Sequence, residues 1–514
     1  MLVLNGLAGA SHFSRAYEQT ATFLHPRPTR SPPGGASSLT TGVPGNSPGR
    51  GEEVGLSYTR GSRAKLRVRT ILQLEGQEHS GGERMKARIV IVGGGVIGVS
   101  VALHAARRTD PLREPVMLLE RDAVGTSPSA CSAAVLGQFF GTRHASGMAR
   151  DSLRYYEGLE SKTGRSLGFL RTGVLTLAKS HETGGRERMR ELVEMQDSIG
   201  IRIECVDANR IRALFPGIVI PDDAIGAWEP TAGCLDPGRA IESLSSLARN
   251  RGAVIRAGNQ VSEIVRENGR VVGVETSDGY IACEQVVVTA GPWTRAILQD
   301  LGVDLPLESV LAERFYVGST MAEVEEEPSE TLMSLAGTET SGATGWYSRD
   351  ALSTASIEDD DDGHTGSGQP ALKVAHPVFT DPETGFYVRC DPLHRRASIG
   401  RRGTSFTVVN DPDQFDPTVT EEFSTWARGA LESRFPDYAD VPDVGAESGL
   451  FTRTPDNQPV LGPIESVPGL YVACGFAGHS FTMAPSVGEG IAQMLMGEPV
   501  SAFEEECYAP SRYM

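Results

Sequence analysis

A short β-branched run, Ala87-Arg-Ile-Val-Ile-Val92, passes directly into Gly93-Gly-Gly95-Val96-Ile97-Gly98 and then into an apolar helical stretch, 99–107. Few folds accept a strand, a glycine turn and a helix in that order. The run suits a parallel strand buried on both faces. Gly93 permits a tight turn, Gly95 lets backbone approach a pyrophosphate, and Gly98 lets helix and strand pack closely. The helix N-terminus, with the N–H groups of Val96 and Ile97, then offers a positive dipole end to phosphates. A second strand-like run, Pro115-Val-Met-Leu-Leu-Glu120, ends in an acid 120 − 98 = 22 residues after the last glycine. That is close to the spacing of about 20 at which an acid meets a ribose hydroxyl. An acid in this place disfavours a 2′-phosphate, and so NADP. The bland alternative is a glycine-rich turn in an ordinary βαβ unit.

Bulk properties narrow the class. The 514 residues leave room for two or three domains. A net charge of −18 speaks against nucleic acid as a partner. No apolar run approaches the roughly 18 residues of a membrane span. The seven cysteines include no CxxC pair, so no zinc ribbon or disulfide framework is suggested and no metal site is read. A reducing compartment follows: the cytoplasm, with the mitochondrial matrix as the alternative. Residues 1–84 are rich in Gly, Ser, Pro and Arg without sustained periodicity. They read as a dispensable extension or a mis-assigned start, with a transit peptide as a further reading.

Later segments extend the pattern. Gly233-Cys-Leu-Asp236-Pro237 precedes an amphipathic helix carrying Ile241, Leu244 and Leu247. Strand pairs turn at Asn268-Gly269 and Asp278-Gly279 and lead into Val286-Val-Val-Thr-Ala-Gly291-Pro-Trp293. Near the end come Thr454-Pro-Asp456-Asn-Gln-Pro459-Val-Leu-Gly462 and Gly475-Phe-Ala-Gly478-His479-Ser480, then a helical stretch, 487–495. In this order the segments resemble the D-amino-acid oxidase superfamily of FAD-dependent oxidoreductases, closest to its sarcosine oxidase, dimethylglycine dehydrogenase and glycine oxidase branch. The resemblance spans about residues 87–500.

What the resemblance implies is an α/β fold with a discontinuous, Rossmann-like FAD-binding domain (85–140, 230–300 and 445–505). An α+β substrate domain with a mixed sheet takes 141–229 and 301–444, and carries an acidic insertion at about 322–370. Carried over residue by residue, Gly93, Gly95, Val96, Ile97 and Gly98 hold the pyrophosphate. Glu120 and Arg121 serve the adenosine side, Val261 meets the adenine, and Ser129 lies beside the phosphates. Gly291, Gly475, Gly478, His479, Ser480 and the helix after Pro485 line the flavin. The chain departs from the family at four places. Ala134 stands where a glycine is usual, and Cys131 where some relatives attach flavin through histidine. Gly449 stands where monomeric sarcosine oxidases use cysteine. Non-covalent FAD is therefore expected, with Cys131 the one residue able to overturn it. Thr482 stands where those oxidases place a substrate-binding lysine.

On the substrate side, Phe386-Tyr387-Val388-Arg389 reads as a strand with Tyr387 and Arg389 on one face. The planar fork of Arg389 suits a substrate carboxylate, and Tyr387 can donate to the same group. The alternative is a surface arginine on an edge strand. Arg143 lies where related oxidases put another carboxylate-binding arginine, and His144 beside it reads as a surface residue. His479 is assigned to tuning the flavin or orienting substrate. The expected reaction is oxidation of the C–N bond of a small amino acid or N-methylated amine by hydride transfer to flavin N5. The imine is then hydrolysed, and electrons pass to oxygen or to a protein or quinone acceptor. The alternatives are a non-catalytic FAD protein assisting respiratory-complex assembly, and oxidation of a hydroxy acid.

Overall fold

In the computed structural model the strand Ile89–Val92 lies in the middle of a six-stranded sheet, between Val116–Leu119 and Gln285–Val288. Residues 85–179, 182–318, 376–391, 396–403 and 406–514 are described here; the acidic segment 322–370 and residues 1–84 fall outside them. Leu470–Cys474 and Val254–Arg256 extend the sheet in parallel, and Val460–Pro463 closes one edge in antiparallel. Every residue of Ile89–Val92 and Val116–Leu119 is buried, as strands covered on both faces require. The sheet is thus assembled from three separated stretches, 89–119, 254–288 and 460–474.

Local chemistry explains the flanking elements. The helix Pro237–Asn250 starts with proline at its first position, and the Asp236 side chain caps it by accepting from the Arg239 N–H at 2.8 Å. Asn268 and Gly269 both have positive φ, 51° and 81°, the geometry of the tight hairpin between Val261–Glu267 and Arg270–Thr276.

A second sheet has eight strands and runs from Asp443–Arg453 through Glu308–Gly318, Arg396–Arg401, Phe386–Asp391, Val378–Asp381, Val174–Leu177 and Ile225–Glu229 to Glu204–Asp207. It is mixed, because Val378–Asp381 and Val174–Leu177 pair in parallel within an otherwise antiparallel ladder. Two boundaries differ from the sequence reading. Asp443–Arg453 spends its whole length paired with Glu308–Gly318, so 445–453 belongs to the larger sheet. The helix Arg143–Thr163 packs on the opposite half from the one expected. Its stripe of Ala145, Met148, Leu153, Tyr156 and Leu159 joins the core built around the helices Val96–Ala106 and Ser480–Met496.

The helix Ser480–Met496 begins well before Pro485, which lies inside it. Proline has no N–H to return to the carbonyl four residues back, here that of Phe481. The buried Tyr156 hydroxyl donates to that oxygen at 2.9 Å instead. Ser100 Oγ likewise donates to the Ala484 carbonyl at 2.7 Å, where the two helices touch. Replacing Tyr156 by phenylalanine strands a buried acceptor, and the expected cost is roughly 1–3 kcal/mol of folding stability. Urea unfolding of Tyr156→Phe measures this, and an unchanged midpoint at unchanged slope would show that Phe481 has another partner.

Candidate active site

The glycine turn opens into a cleft of about 1050 Å³ whose wall draws on both large sheets. This is the upper end of the roughly 300–1,000 Å³ of drug-sized ligand sites, with room for a dinucleotide. Gly93 has φ of 109°, and a Cβ there would stand 2.7 Å from the Thr289 carbonyl oxygen. A Cβ on Gly98 would overlap the Gly93 carbonyl. The helix Val96–Ala106 has no side-chain cap at Gly95; Ser129 Oγ accepts from the Val96 N–H at 3.2 Å. Gly93, Gly95, Val96, Ile97 and Ser129 all line the cleft, so the helix end, with Ser129 on one of its N–H groups, faces open space. Glu120 Oε2 accepts from the Gly94 N–H at 2.6 Å, and Oε1 from the Asp122 N–H at 2.9 Å, fixing the carboxylate beside the turn. A helix end open to the cleft, a backbone cradle that no Cβ fits and a fixed acid form a donor and acceptor set that suits a dinucleotide.

Val261 and its neighbours Gln260 and Ser262 form another part of the wall with Trp293 and Arg121. Arg121 is not a free cation. It stacks over Trp293 at 4.5 Å and pairs with Asp413 at 2.8 Å, while Trp293 Nε1 donates to the same Asp413 oxygen at 2.8 Å.

The remaining wall holds Gly291, Gly478, His479, Ser480, Thr482, Tyr387, Arg314, Arg402 and Glu229. His479 sits before the first turn of Ser480–Met496, and its ring meets Phe140 edge-on at 4.9 Å. Burial, aided by the positive charge of Arg402, lowers its pKa to about 3, so the imidazole is neutral. Glu229 is pushed up to about 7 by burial, although it accepts from the Gln138 N–H at 2.5 Å and from that of Phe139. Burial raises the Tyr387 phenol as well, so it keeps its proton.

The expected arginines fall elsewhere. Arg389 is buried, but Nη1 donates to the Ala133 carbonyl at 2.5 Å and the side chain forms no part of the cleft wall. It braces the loop that follows Ser129. Arg143 is exposed at the start of its helix and donates to Ser198 Oγ at 2.9 Å, beside a different cleft. Gly475 turns the chain behind Thr454 without reaching the wall.

A different arginine, Arg402, lies in the cleft wall. Its side chain is open to the cleft, and burial among the surrounding protein lowers its pKa against the opposing pull of Glu229 and Tyr387. Among the described residues its guanidinium makes no hydrogen bond or ion pair. Arg314, also in the wall, is occupied by Glu447, which accepts from Tyr316 as well at 2.6 Å. The sequence signal for Arg402 is a pair of arginines before a glycine, at the end of the strand Arg396–Arg401.

Cys131 and Gly449 face one another, since a Cβ on Gly449 would stand 3.0 Å from that of Cys131. The thiol is pushed up to about 11 by burial and by Glu447, so at neutral pH it is not a thiolate. Ala134, where the resembled family has glycine, adopts φ of 45°. The left-handed backbone costs a residue with a Cβ roughly 1–2 kcal/mol.

Comparison with known proteins agrees with this construction. The chain is 27% identical to 4-methylaminobutanoate oxidase (formaldehyde-forming) of Paenarthrobacter nicotinovorans over 421 residues, 80% of this chain and 44% of that protein. It is 25% identical to mitochondrial dimethylglycine dehydrogenase of Rattus norvegicus over 90% of this chain and 48% of that protein. It therefore spans less than half the length of these two relatives. With human peroxisomal sarcosine oxidase it shares 24% identity over 79% of this chain and 91% of that protein. Among solved structures, L-proline dehydrogenase from P. horikoshii superposes with a TM-score of 0.66 at 22% identity, covering 84% of this chain and 98% of that one. Glycine oxidase from Geobacillus kaustophilus gives 0.64 at 19% identity, covering 84% and 100%. The family model described as DAO, FAD dependent oxidoreductase, matches residues 88–349 and 350–494, which include the glycine cradle and the His479 segment alike. By that match, and by a cleft whose cradle suits the same cofactor, the chain belongs to the DAO family of FAD-dependent oxidoreductases.

Proposed function

We propose that this protein oxidises the C–N bond of a small amine that carries a carboxylate, an amino acid or an N-methylated amino acid. The observation that carries this reading is Arg402, a guanidinium in the cleft wall without a protein partner among the described residues. A planar cation in a partly desolvated cleft suits a bidentate carboxylate. Tyr387, which keeps its proton, can donate to the same group. The reaction also needs the amine uncharged. A neutral His479 and a nearby guanidinium disfavour an ammonium, and the imidazole can orient a free amine through a hydrogen bond. Among relatives, 4-methylaminobutanoate, dimethylglycine and sarcosine each join an N-methylated amine to a carboxylate, which supports the same class.

The residues that would hold FAD are the Gly93–Gly98 turn, Ser129 and Glu120, with Val261 and the Arg121–Trp293–Asp413 cluster on the adenosine side and Gly291 and 478–480 by the ring. Bound FAD supplies the acceptor for the hydride that leaves the substrate carbon. Electrons then go to oxygen or to a protein or quinone acceptor, and water hydrolyses the imine. The cofactor is held without a covalent bond, because Gly449 offers no sulfur and the Cys131 thiol is held protonated.

Two spectra test this. Under anaerobic conditions, sarcosine, dimethylglycine, 4-methylaminobutanoate, glycine, D-amino acids, L-proline and a hydroxy acid are added in turn to the purified protein. Bleaching of the flavin by a carboxylate-bearing amine, but not by the same amine lacking its carboxylate, is the expected result. Bleaching by the hydroxy acid alone, or equal bleaching by the decarboxylated amine, would overturn the reading. After acid precipitation the yellow colour is expected in the supernatant; a yellow pellet would refute non-covalent binding.

A further inference from the structure

The helix Arg143–Thr163 and the segment 500–507 enclose a smaller cleft of about 640 Å³. Its wall brings His144 from the first helical turn to Glu504 and Cys507, which lie at least 504 − 144 = 360 residues later. One donor atom from each of the three lies within 4.8 Å of the others. Cys507 Sγ stands 3.8 Å from His144 Nδ1 and 3.6 Å from Glu504 Oε2.

These separations can be set against coordination geometry. With Zn–S of about 2.3 Å and Zn–N or Zn–O of about 2.0–2.1 Å, the S···N and S···O edges of a tetrahedron are about 3.5 Å. Both observed distances are already within a few tenths of an ångström of that, whereas hydrogen bonds to sulfur at such lengths are weak. The His144 donor is also held by packing that chelation does not require. The His144 ring stands edge-on to Tyr508 at 5.5 Å, and the fully buried Tyr508 packs on Phe503 at 5.8 Å. Charge favours a cation: Glu505 and Glu506 line the same cleft, and Asp151 lines it while paired with Arg150. Its two arginines are directed elsewhere, Arg143 to Ser198, and Arg150 to Asp151 at 2.8 Å and to the Ile199 carbonyl at 2.6 Å. A thiolate, an imidazole and a carboxylate together select a borderline-soft divalent ion, where calcium and magnesium take oxygen alone.

We propose that His144, Glu504 and Cys507 bind one zinc ion and thereby pin the segment 500–507 to the helix Arg143–Thr163. Water fills the fourth position. The Zn–S bond forms as the thiol S–H breaks, with its proton released to solvent and no change of oxidation state. None of the three ligands lines the flavin cleft, so the site does not depend on the reaction assigned above.

The test uses the full-length, FAD-loaded protein after treatment with a chelator. Zinc is titrated calorimetrically while reactive thiols are counted with a disulfide reagent; Cys507 is half-buried, and exposed Cys205 and half-buried Cys131 provide a constant background. The expected result is one zinc per chain with one thiol lost from the count. Cys507→Ser should abolish that protection, and His144→Ala and Glu504→Gln should each weaken binding at least about tenfold, all three with an unchanged flavin spectrum. Zinc binding undiminished in Cys507→Ser, or full thiol reactivity at saturating zinc, would overturn the proposal. Should Cys507→Ser fail to fold, unweakened zinc binding by His144→Ala would overturn it equally.

Discussion

Arg402→Ala is expected to lower kcat/KM for a carboxylate-bearing amine roughly 30- to 3,000-fold while leaving the FAD content unchanged. The range corresponds to removing one partner of a desolvated ion pair, about 2–5 kcal/mol, at a factor of ten per 1.4 kcal/mol. Most of the loss should appear in KM, since an anchor remote from the breaking bond grips ground state and transition state alike. The cofactor is spared because Arg402 follows a strand of the eight-stranded sheet, while the glycine cradle rises from the six-stranded one. Arg402→Lys should recover part of the affinity, as a point charge without the planar fork. Arg143→Ala serves as the control and should change neither constant. Steady-state kinetics of the three variants decide the matter. Equal losses in Arg143→Ala and Arg402→Ala, or none in Arg402→Ala, would remove the carboxylate anchor from the account.

Gly98→Ala should have the largest effect on the cofactor, giving protein that is purified without flavin or does not fold. Its new Cβ would overlap the carbonyl oxygen of Gly93 and approach Thr289 Oγ1 to 2.7 Å. Backbone cannot yield as a side chain does, and Gly93 is itself pressed against the Thr289 carbonyl. Overpacking of this kind costs about 1–3 kcal/mol or more, and here the displacement falls on the turn that must face the phosphates. Gly95→Ala provides the contrast. Its Cβ would meet only Ser129 Oγ, at 2.9 Å, a side-chain atom that can move aside at the cost of its bond from the Val96 N–H. That protein should fold and lose affinity for FAD only in so far as the methyl occupies phosphate space. Thermal melting with the ratio of flavin to protein absorbance separates the two, and a Gly98→Ala protein with full flavin and an unchanged melting temperature would refute the close packing.

The parts of this molecule written in local periods and turn residues were legible beforehand. The strand–glycine–helix unit, the Asp236 cap and the Asn268-Gly269 hairpin depend on neighbours in sequence, and each forms as its residues dictate. Alternation likewise placed Tyr387 and Arg389 on one face of their strand. What it could not convey is which of two same-facing side chains reaches open space. That depends on the Ala133 carbonyl, 256 residues away, which captures Arg389. Arg402 escaped notice for the converse reason, since a doubled arginine after a short strand looks like solvated surface until the cleft is seen around it. Glu229 was hidden too, as its burial and the N–H groups of Gln138 and Phe139 come from tertiary packing. The helix Ser480–Met496 was expected only after Pro485, because a proline normally stops a helix and the hydroxyl that compensates for it lies on another helix.

The threading of the six-stranded sheet has a consequence for biosynthesis. Gln285–Val288 pairs with Ile89–Val92 on one side, but its other side is completed by Leu470–Cys474, with Val286 opposite Leu470. The second partner is made 470 − 286 = 184 residues after the strand itself, roughly 10–40 s of translation at about 5–20 residues per second. During that interval an apolar strand edge is open to other nascent chains. The wholly buried helix Val96–Ala106 meanwhile waits for Ser480–Met496 to cover it. The flavin cleft therefore cannot close before residue 483 has been made, and a ribosome that stalls before residue 474 leaves a product without its central sheet complete.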